Sequence, residues 1–251
     1  VISQFLLLTK HYLRRSSRDW ISLGAFIVLP VVIVGILNFI YNGKEGYDFY
    51  FNGYNIGATH ISIHMVLLFQ LNGGLYLMNF VNYDLLGAMK WRYKSAPVGG
   101  HLPVFAAAFA CTLFTTFQGV LIVVVTAWLF QVYWGSIGLS ILILFFVSLI
   151  SQFICLLLLL TVRSIGGAEG LSWLITVAMS ALGGMMFSLP DNSFFRFIST
   201  YGTPYSLARN AILETGFLGT GKGYAGYLAG LLFILGLLAI ATVPLGRRKL
   251  V

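Results

Sequence analysis

Apolar residues run along this chain in six long blocks, at about 21–41, 57–82, 102–131, 137–162, 170–190 and 223–245, separated by short polar stretches. Each block is long enough for a helix to cross a hydrocarbon core ~30 Å thick. None alternates apolar with polar positions as a membrane-barrel strand does, and backbone groups in lipid must be satisfied within the segment or in a closed barrel. The pattern predicts an all-α polytopic membrane protein with six spans.

Ahead of the first block the period changes. Projected at ~100° per residue, Ile2, Phe5, Leu6, Leu8, Tyr12 and Leu13 share one face. Ser3, Gln4, Lys10, His11, Arg14, Arg15 and Arg18 share the other, with Leu7 the exception. Residues 1–18 therefore read as an amphipathic helix lying in the membrane interface, either a topology anchor or an elbow that also touches a partner. The connection after the second block, "NYDLLGAMKWRYKSAPVGG" from Asn82 to Gly100, is long and interleaves basic with large apolar residues. A docking loop and a lipid-facing interfacial helix both fit it, and Pro97 separates it from the third span. The stretch 190–215 is broken by Pro190 and Pro204. Phe194, Phe195, Phe197 and Ile198 before the second break, and Leu207, Ala208, Ala211 and Ile212 after it, predict two short helices dipping into the outer leaflet, as a lid or as a plain interfacial hairpin.

Composition agrees with this reading: 59% hydrophobic residues, 9% charged and a mean hydropathy of +0.90 exclude an ordinary soluble domain. No small-residue cleavage site follows the basic start, so a removable signal peptide is not expected and the termini read as mature. Six spans place both termini on one side with the loops 83–101 and 163–169. That side holds eleven Lys and Arg against Asp19, Asp84 and Glu169; the other balances Lys44, Arg196, Arg209 and Lys222 against Glu45, Asp48, Asp191 and Glu214. The whole net charge of +8 then faces inward, which predicts cytoplasmic termini in a cell membrane, a bacterial plasma membrane above all, and attraction to anionic lipid rather than to nucleic acid. Trp20 and Trp173 fall near the inner boundary and Trp128 and Trp134 near the outer one, as an aromatic belt would.

Chemistry-bearing residues are few. In the second span His60, His64, Asn72, Asn79 and Asn82 project within ~120°, a pattern for lining a substrate path or for interhelical hydrogen bonds. No Glu follows His60 and no third ligand is evident, so no metal site is expected. Gly166, Gly170, Ser180 and Gly184, with Gly226 and Gly230, give small-residue spacings that serve packing within a subunit or between subunits. Cys111 and Cys155 sit in apolar runs and predict no disulfide. "GFLGTGKG" at 216–223 comes close to a phosphate-binding loop. It lacks the Ser or Thr that ligates magnesium, having Gly223 there, and precedes a span on the outer side, so it reads as a glycine-rich lead-in to the sixth helix.

The order of these features, an amphipathic elbow, six spans, "GAMKWRYKSAPV" after the second and "LPDNSFFRFISTYGTPYSLARNAI" before the sixth, resembles the type-2 ABC exporter permeases. That family handles drugs, peptides, lipids or cell-surface polymers. The resemblance implies a pathway formed with a second permease copy or a homologous permease, and a cytoplasmic ATPase that binds ATP and magnesium while this chain holds no cofactor and is not itself an enzyme. It implies a coupling helix from Asp84 to Ser95 with Met89, Lys90, Trp91, Arg92, Tyr93 and Lys94 toward the ATPase, Glu169 beside Arg163 in the second inner loop, and an elbow carrying Lys10, Arg14, Arg15 and Arg18. A non-transporting sensor or immunity protein shares the same topology, and an intramembrane enzyme has only His60 and His64 to work with.

Overall fold

The structure, a computed structural model, describes residues 2–41, 50–51, 53–87, 89–95, 101–185, 190–216 and 223–249. The protein is a multi-span helical membrane protein. The amphipathic helix α1 (Ile2–Ser16) leads into α2 (Trp20–Tyr41), and a two-residue hairpin, β1 (Tyr50–Phe51) with β2 (Tyr54–Asn55), precedes α3 (Ile56–Asn72). Then come α4 (Leu75–Val81), a π-helical turn at Asn82–Leu86, α5 (Lys90–Ser95), α6 (Leu102–Phe130), α7 (Ile137–Thr161) and α8 (Ile165–Leu182). Finally α9 (Ser193–Phe197), a second π-helical turn at Ile198–Gly202, and α10 (Pro204–Gly216) lead to α11 (Tyr224–Lys249). Six helical stretches have the length and hydropathy to cross a bilayer, the second being α3, α4 and the π turn in series. Exposure in the isolated chain includes surface that faces lipid. In the apolar stretches of α2 and α11, 11% of residues are buried against 72% in the second span, so those two helices form the rim and the second span forms the centre.

The second span is central because it breaks. Gly73 and Gly74 interrupt the helix where it meets α7, and a Cβ on Gly74 would lie 2.3 Å from the Ser151 carbonyl oxygen. Only glycine lets the two backbones come this close. Side chains of α7 satisfy the backbone groups the break releases, as a low-dielectric interior requires. Gly74 N donates to Ser151 Oγ at 2.8 Å, Ser151 Oγ donates to the Leu71 oxygen at 2.5 Å, and Gln152 Nε2 reaches the Gly73 oxygen at 3.3 Å. The break also resets the helical phase, so the single polar arc predicted from His60 to Asn82 does not exist. Asn72 is buried, whereas Asn79 is exposed and returns its amide to the Leu75 oxygen.

Two apolar cores lie on either side of this level. One gathers α3, the ends of α6, α7, α10 and Leu231 of α11; the other gathers Tyr12 of α1 with α4, the start of α6 and the second half of α7. Between them runs a band of buried polar side chains: Gln70 bonded to Ser148, Thr116 bonded to Ser148 at 3.3 Å, and Gln118 bonded to Tyr76 at 3.3 Å. These residues sit in blocks that read as purely apolar, and their pairing across helices keeps them satisfied in a membrane interior.

Several expectations are corrected. The fifth span starts at Ile165, where Ser164 caps the helix by accepting from Gly167 N at 3.2 Å, so Glu169 stands in the second turn of α8 and not in a loop. The span ends at Leu182 rather than near 190, because Gly184 turns the chain at φ 78°. Trp134 is not a belt residue: it is buried and donates its Nε1–H to Thr126 Oγ1 at 3.2 Å. Trp20 and Trp128 are exposed. Gly166, Gly170 and Gly226 have open space where a Cβ would stand, while Gly230 packs beneath Leu207, so of these glycines only Gly230 serves packing within this chain. The loop residues Lys44, Glu45 and Asp48, Pro97, and most of "GFLGTGKG" (217–222) lie outside the described residues.

Candidate functional site

The first candidate site lies at the basic end of the bundle and is built from α1. Tyr12 is fully buried and meets Phe80 of α4, and Phe5 meets Phe109 of α6, with ring centroids 5.5 and 5.8 Å apart. The predicted apolar face divides: Phe5, Leu8, Tyr12 and Leu13 pack on protein, while Ile2 and Leu6 remain exposed, as does Leu7 outside that face. Thr9 and Ser16 are buried in the same seam, so the packed face is rotated from the one the sequence predicts toward small polar residues that admit close contact.

Rotation brings Arg15 inward. Its guanidinium donates to both carboxylate oxygens of Asp84 at 2.9 Å and lies over the rings of Phe80, at 4.6 Å, and Tyr83, at 5.2 Å. The Asp84 side chain is 4% exposed and that of Arg15 34%. An ion pair with one partner buried and the cation within reach of two aromatic rings is less screened than a surface pair. Asp84 owes its inward aim to the π turn at Asn82–Leu86, which adds a residue to one helical turn before Gly87 ends it.

Arg15 and Asp84 floor an open cleft of about 820 Å³ that is also lined by His11, Arg14, Arg18, Tyr83, Met89 and Arg92. Two groups of residues predicted separately, the elbow cations and the loop after the second span, thus share one surface. Lys10 is exposed outside it, and on α5 Trp91 is 77% exposed and Arg92 exposed. Tyr93 and Lys94 belong to the same short helix. Glu169, on α8, is half-buried and does not line the cleft. Asp84 was expected to contact a partner; its burial against Arg15 makes it a tie between two parts of this chain.

The opposite end carries the second cluster. Tyr205, at the start of α10, is fully buried and its hydroxyl hydrogen-bonds His64 Nδ1, with the two rings stacked 5.8 Å apart. Arg209 donates to the Gly183 oxygen at the end of α8 and, through Nε and Nη2, to Asn210 Oδ1 at 3.2 and 3.0 Å. A cation at the carbonyl end of α8 opposes the negative end of that helix dipole. Asn210 Nδ2 in turn ties α10 to the Thr200 oxygen at 3.1 Å. His60 is exposed one turn before His64, and among the described residues no three His, Cys, Asp or Glu side chains converge. Asn72 stands in the central band and Asn79 beyond the break, so the four predicted path residues are not brought together.

Leu207, Ala208, Ala211 and Ile212 are buried among α3, α7, α8 and α11. The segment before the last span is therefore no interfacial hairpin: α10 is a wedge inserted in the bundle, and only α9, with Phe194 and Phe197 exposed, keeps the predicted surface character. Small residues on several faces of α10 allow this insertion. Comparison with protein-family models and with curated proteins finds no match to this chain.

Proposed function

We propose that this protein is the membrane-spanning permease subunit of an ATP-driven exporter of the type-2 ABC class, moving an amphiphilic substrate by alternating access. The observation that supports this reading is the cleft in which the elbow and the loop after the second span are joined by the Arg15–Asp84 pair. A partner that pushes on exposed Trp91 and Arg92 moves α5. Through the π turn and Asp84 it also moves Arg15 and α1. One push thereby reaches both the second span, which breaks at Gly73–Gly74, and the amphipathic helix packed on α6. ATP-driven closure of a cytoplasmic ATPase supplies that push, and the switch follows from the ATPase binding one state of the permease more tightly than the other. In this reading the basic end is cytoplasmic, the ATP and magnesium sites belong to the partner, and a second permease completes the pathway. The chain's own contribution is to transmit motion rather than to catalyse.

The test is affinity purification from detergent with its neighbours in the membrane. Stoichiometric recovery of an ATPase subunit is expected, and joint Trp91→Ala and Arg92→Ala replacement should reduce its recovery and the nucleotide-dependent transport by tenfold or more. Unchanged recovery and transport in that variant would remove the coupling assignment.

A further inference from the structure

We propose that the cleft between α1 and α5 binds the phosphate headgroup of an anionic phospholipid drawn from the leaflet at the basic end. The guanidiniums of Arg14, Arg15, Arg18 and Arg92 line this cleft against the single carboxylate of Asp84, which already accepts from Arg15. Among the described residues Arg14, Arg18 and Arg92 form no ion pair, and all three are exposed. Asp19, next to Arg18 in sequence, lines a separate hollow that Arg15 also touches. Like charges gathered on one surface repel, and an anion seated among them relieves that repulsion. Each guanidinium fork can donate two parallel bonds to a phosphate, so these arginines suit a phosphorus oxyanion in particular.

Position along the spans decides which phosphate. The second span ends at Leu86, just past Tyr83 and Asp84 in the cleft, and α2 begins at Trp20, just past Arg18. The cleft therefore opens where two spans leave the hydrocarbon, at the depth of lipid phosphates. Trp20 is 78% exposed at that boundary, where an indole is favoured, and Ile2 and Leu6 of α1 are exposed as a helix lying in the interface requires. The cleft's volume of about 820 Å³ is ample for a phospholipid headgroup. A headgroup held by Arg14 and Arg18 on one side and Arg92 on the other would be a second tie between α1 and α5, beside the Arg15–Asp84 pair. This assignment concerns the same cleft as the coupling reading, but it rests only on that cleft lying at the membrane boundary and needs no ATPase.

The test counts lipids on the purified full chain in dodecyl maltoside by native mass spectrometry, with dioleoyl phosphatidylglycerol and dioleoyl phosphatidylcholine as probes. One phosphatidylglycerol per chain is expected to bind about tenfold tighter than phosphatidylcholine, whose choline sets a cation against the guanidiniums. Joint Arg14→Gln and Arg18→Gln replacement should erase that preference. Lys10→Gln with Arg163→Gln removes as much charge from exposed positions outside the cleft and should keep it. Arg92→Gln, which leaves α1 intact, should weaken binding about fivefold and guards against an α1 variant that fails to fold. A large excess of inorganic phosphate should leave the lipid in place, because free phosphate lacks acyl chains held in an apolar phase. Displacement by inorganic phosphate would make the site one for a soluble anion, and an equal loss in the Lys10 and Arg163 variant would reduce binding to general charge. Lipid binding untouched by the cleft variants, with ATPase recovery lost in them, would give the cleft to an acidic surface of the partner. Each of these three results overturns the lipid assignment. Trp91→Ala, outside the cleft, should leave the lipid count unchanged whatever it does to ATPase recovery, so the two readings fail separately.

Discussion

The two ends of the bundle each use an amphipathic segment, and each segment meets a different fate. At the basic end α1 stays on the outside: Tyr12 and its neighbours grip α6 and α4, while Ile2, Leu6 and Leu7 are left to lipid. At the far end α10 is swallowed, with every residue from Pro204 to Ala208 buried. Both segments look interfacial by periodicity. The difference lies in side-chain size: α1 has large residues around most of its circumference, whereas Ser206, Ala208 and Ala211 leave α10 thin enough to fit between four helices. Hydrophobic periodicity reports that a helix has two unlike faces, and it is blind to whether lipid or protein covers the apolar one.

The largest effect that separates the ends is expected from Tyr205→Ala. It removes a fully buried ring and the partner of His64, and should cost about 3–5 kcal/mol. Phe194→Ala, on the exposed helix just before it, should stay within about 0.5 kcal/mol. Unfolding of the purified protein in mixed detergent, titrated with a denaturing one, measures both; equal losses would mean that α10 is not the anchored element. Next comes Gly183→Ala, whose Cβ would stand 2.3 Å from the Tyr205 ring and should cost about 1–3 kcal/mol through overpacking. Gly226→Ala, with open space around it, should be neutral or gain a little helix propensity. Thermal midpoints of the two variants are the comparison.

At the basic end the Arg15–Asp84 tie sets a smaller step. Asp84→Asn should cost about 1–2 kcal/mol, because Arg15 is a third exposed and regains water. In a double-mutant cycle with Arg15→Gln the coupling should be about 1 kcal/mol, and limited proteolysis within 14–18 should accelerate as α1 loosens. Additive effects in the cycle would leave α1 held by its apolar face alone. The smallest effect belongs to Asp191–Arg196, an exposed pair at 2.8 Å. The hydrogen bond and charge of Arg196 hold the Asp191 carboxyl below its usual range. What the pair contributes is therefore present above the ordinary carboxylate pKa and lost as the pH falls through the depressed one. Asp191→Asn should leave the thermal midpoint unchanged from neutral pH down to about 4.

Much of the far-end chemistry was visible only in part. His64 stands out in the sequence as a polar residue in a span, yet its partner Tyr205 is 141 residues away and nothing in the spacing pairs them. Gln70, Ser148, Ser151 and Gln152 are single polar residues in apolar blocks. The available signal was their presence at one depth of two spans, together with Thr116 and Gln118 on the span between them, and no single apolar block carries that signal. Asp84 and Arg15 were each picked out, as a partner contact and as an elbow cation, and the fold joined them to each other.

By itself the sequence determined the solvent and the element type. Lipid-length apolar runs leave the backbone no partner but its own helix, so six spans and an amphipathic helix follow from hydropathy and period alone. Tertiary structure decided which faces are covered, where the second span breaks, and which polar groups meet. Those outcomes depend on how closely two backbones can approach, as at Gly74 against Ser151, and on hydrogen bonds between residues far apart in the chain. Periodicity carries neither kind of information, because both arise only when one helix meets another.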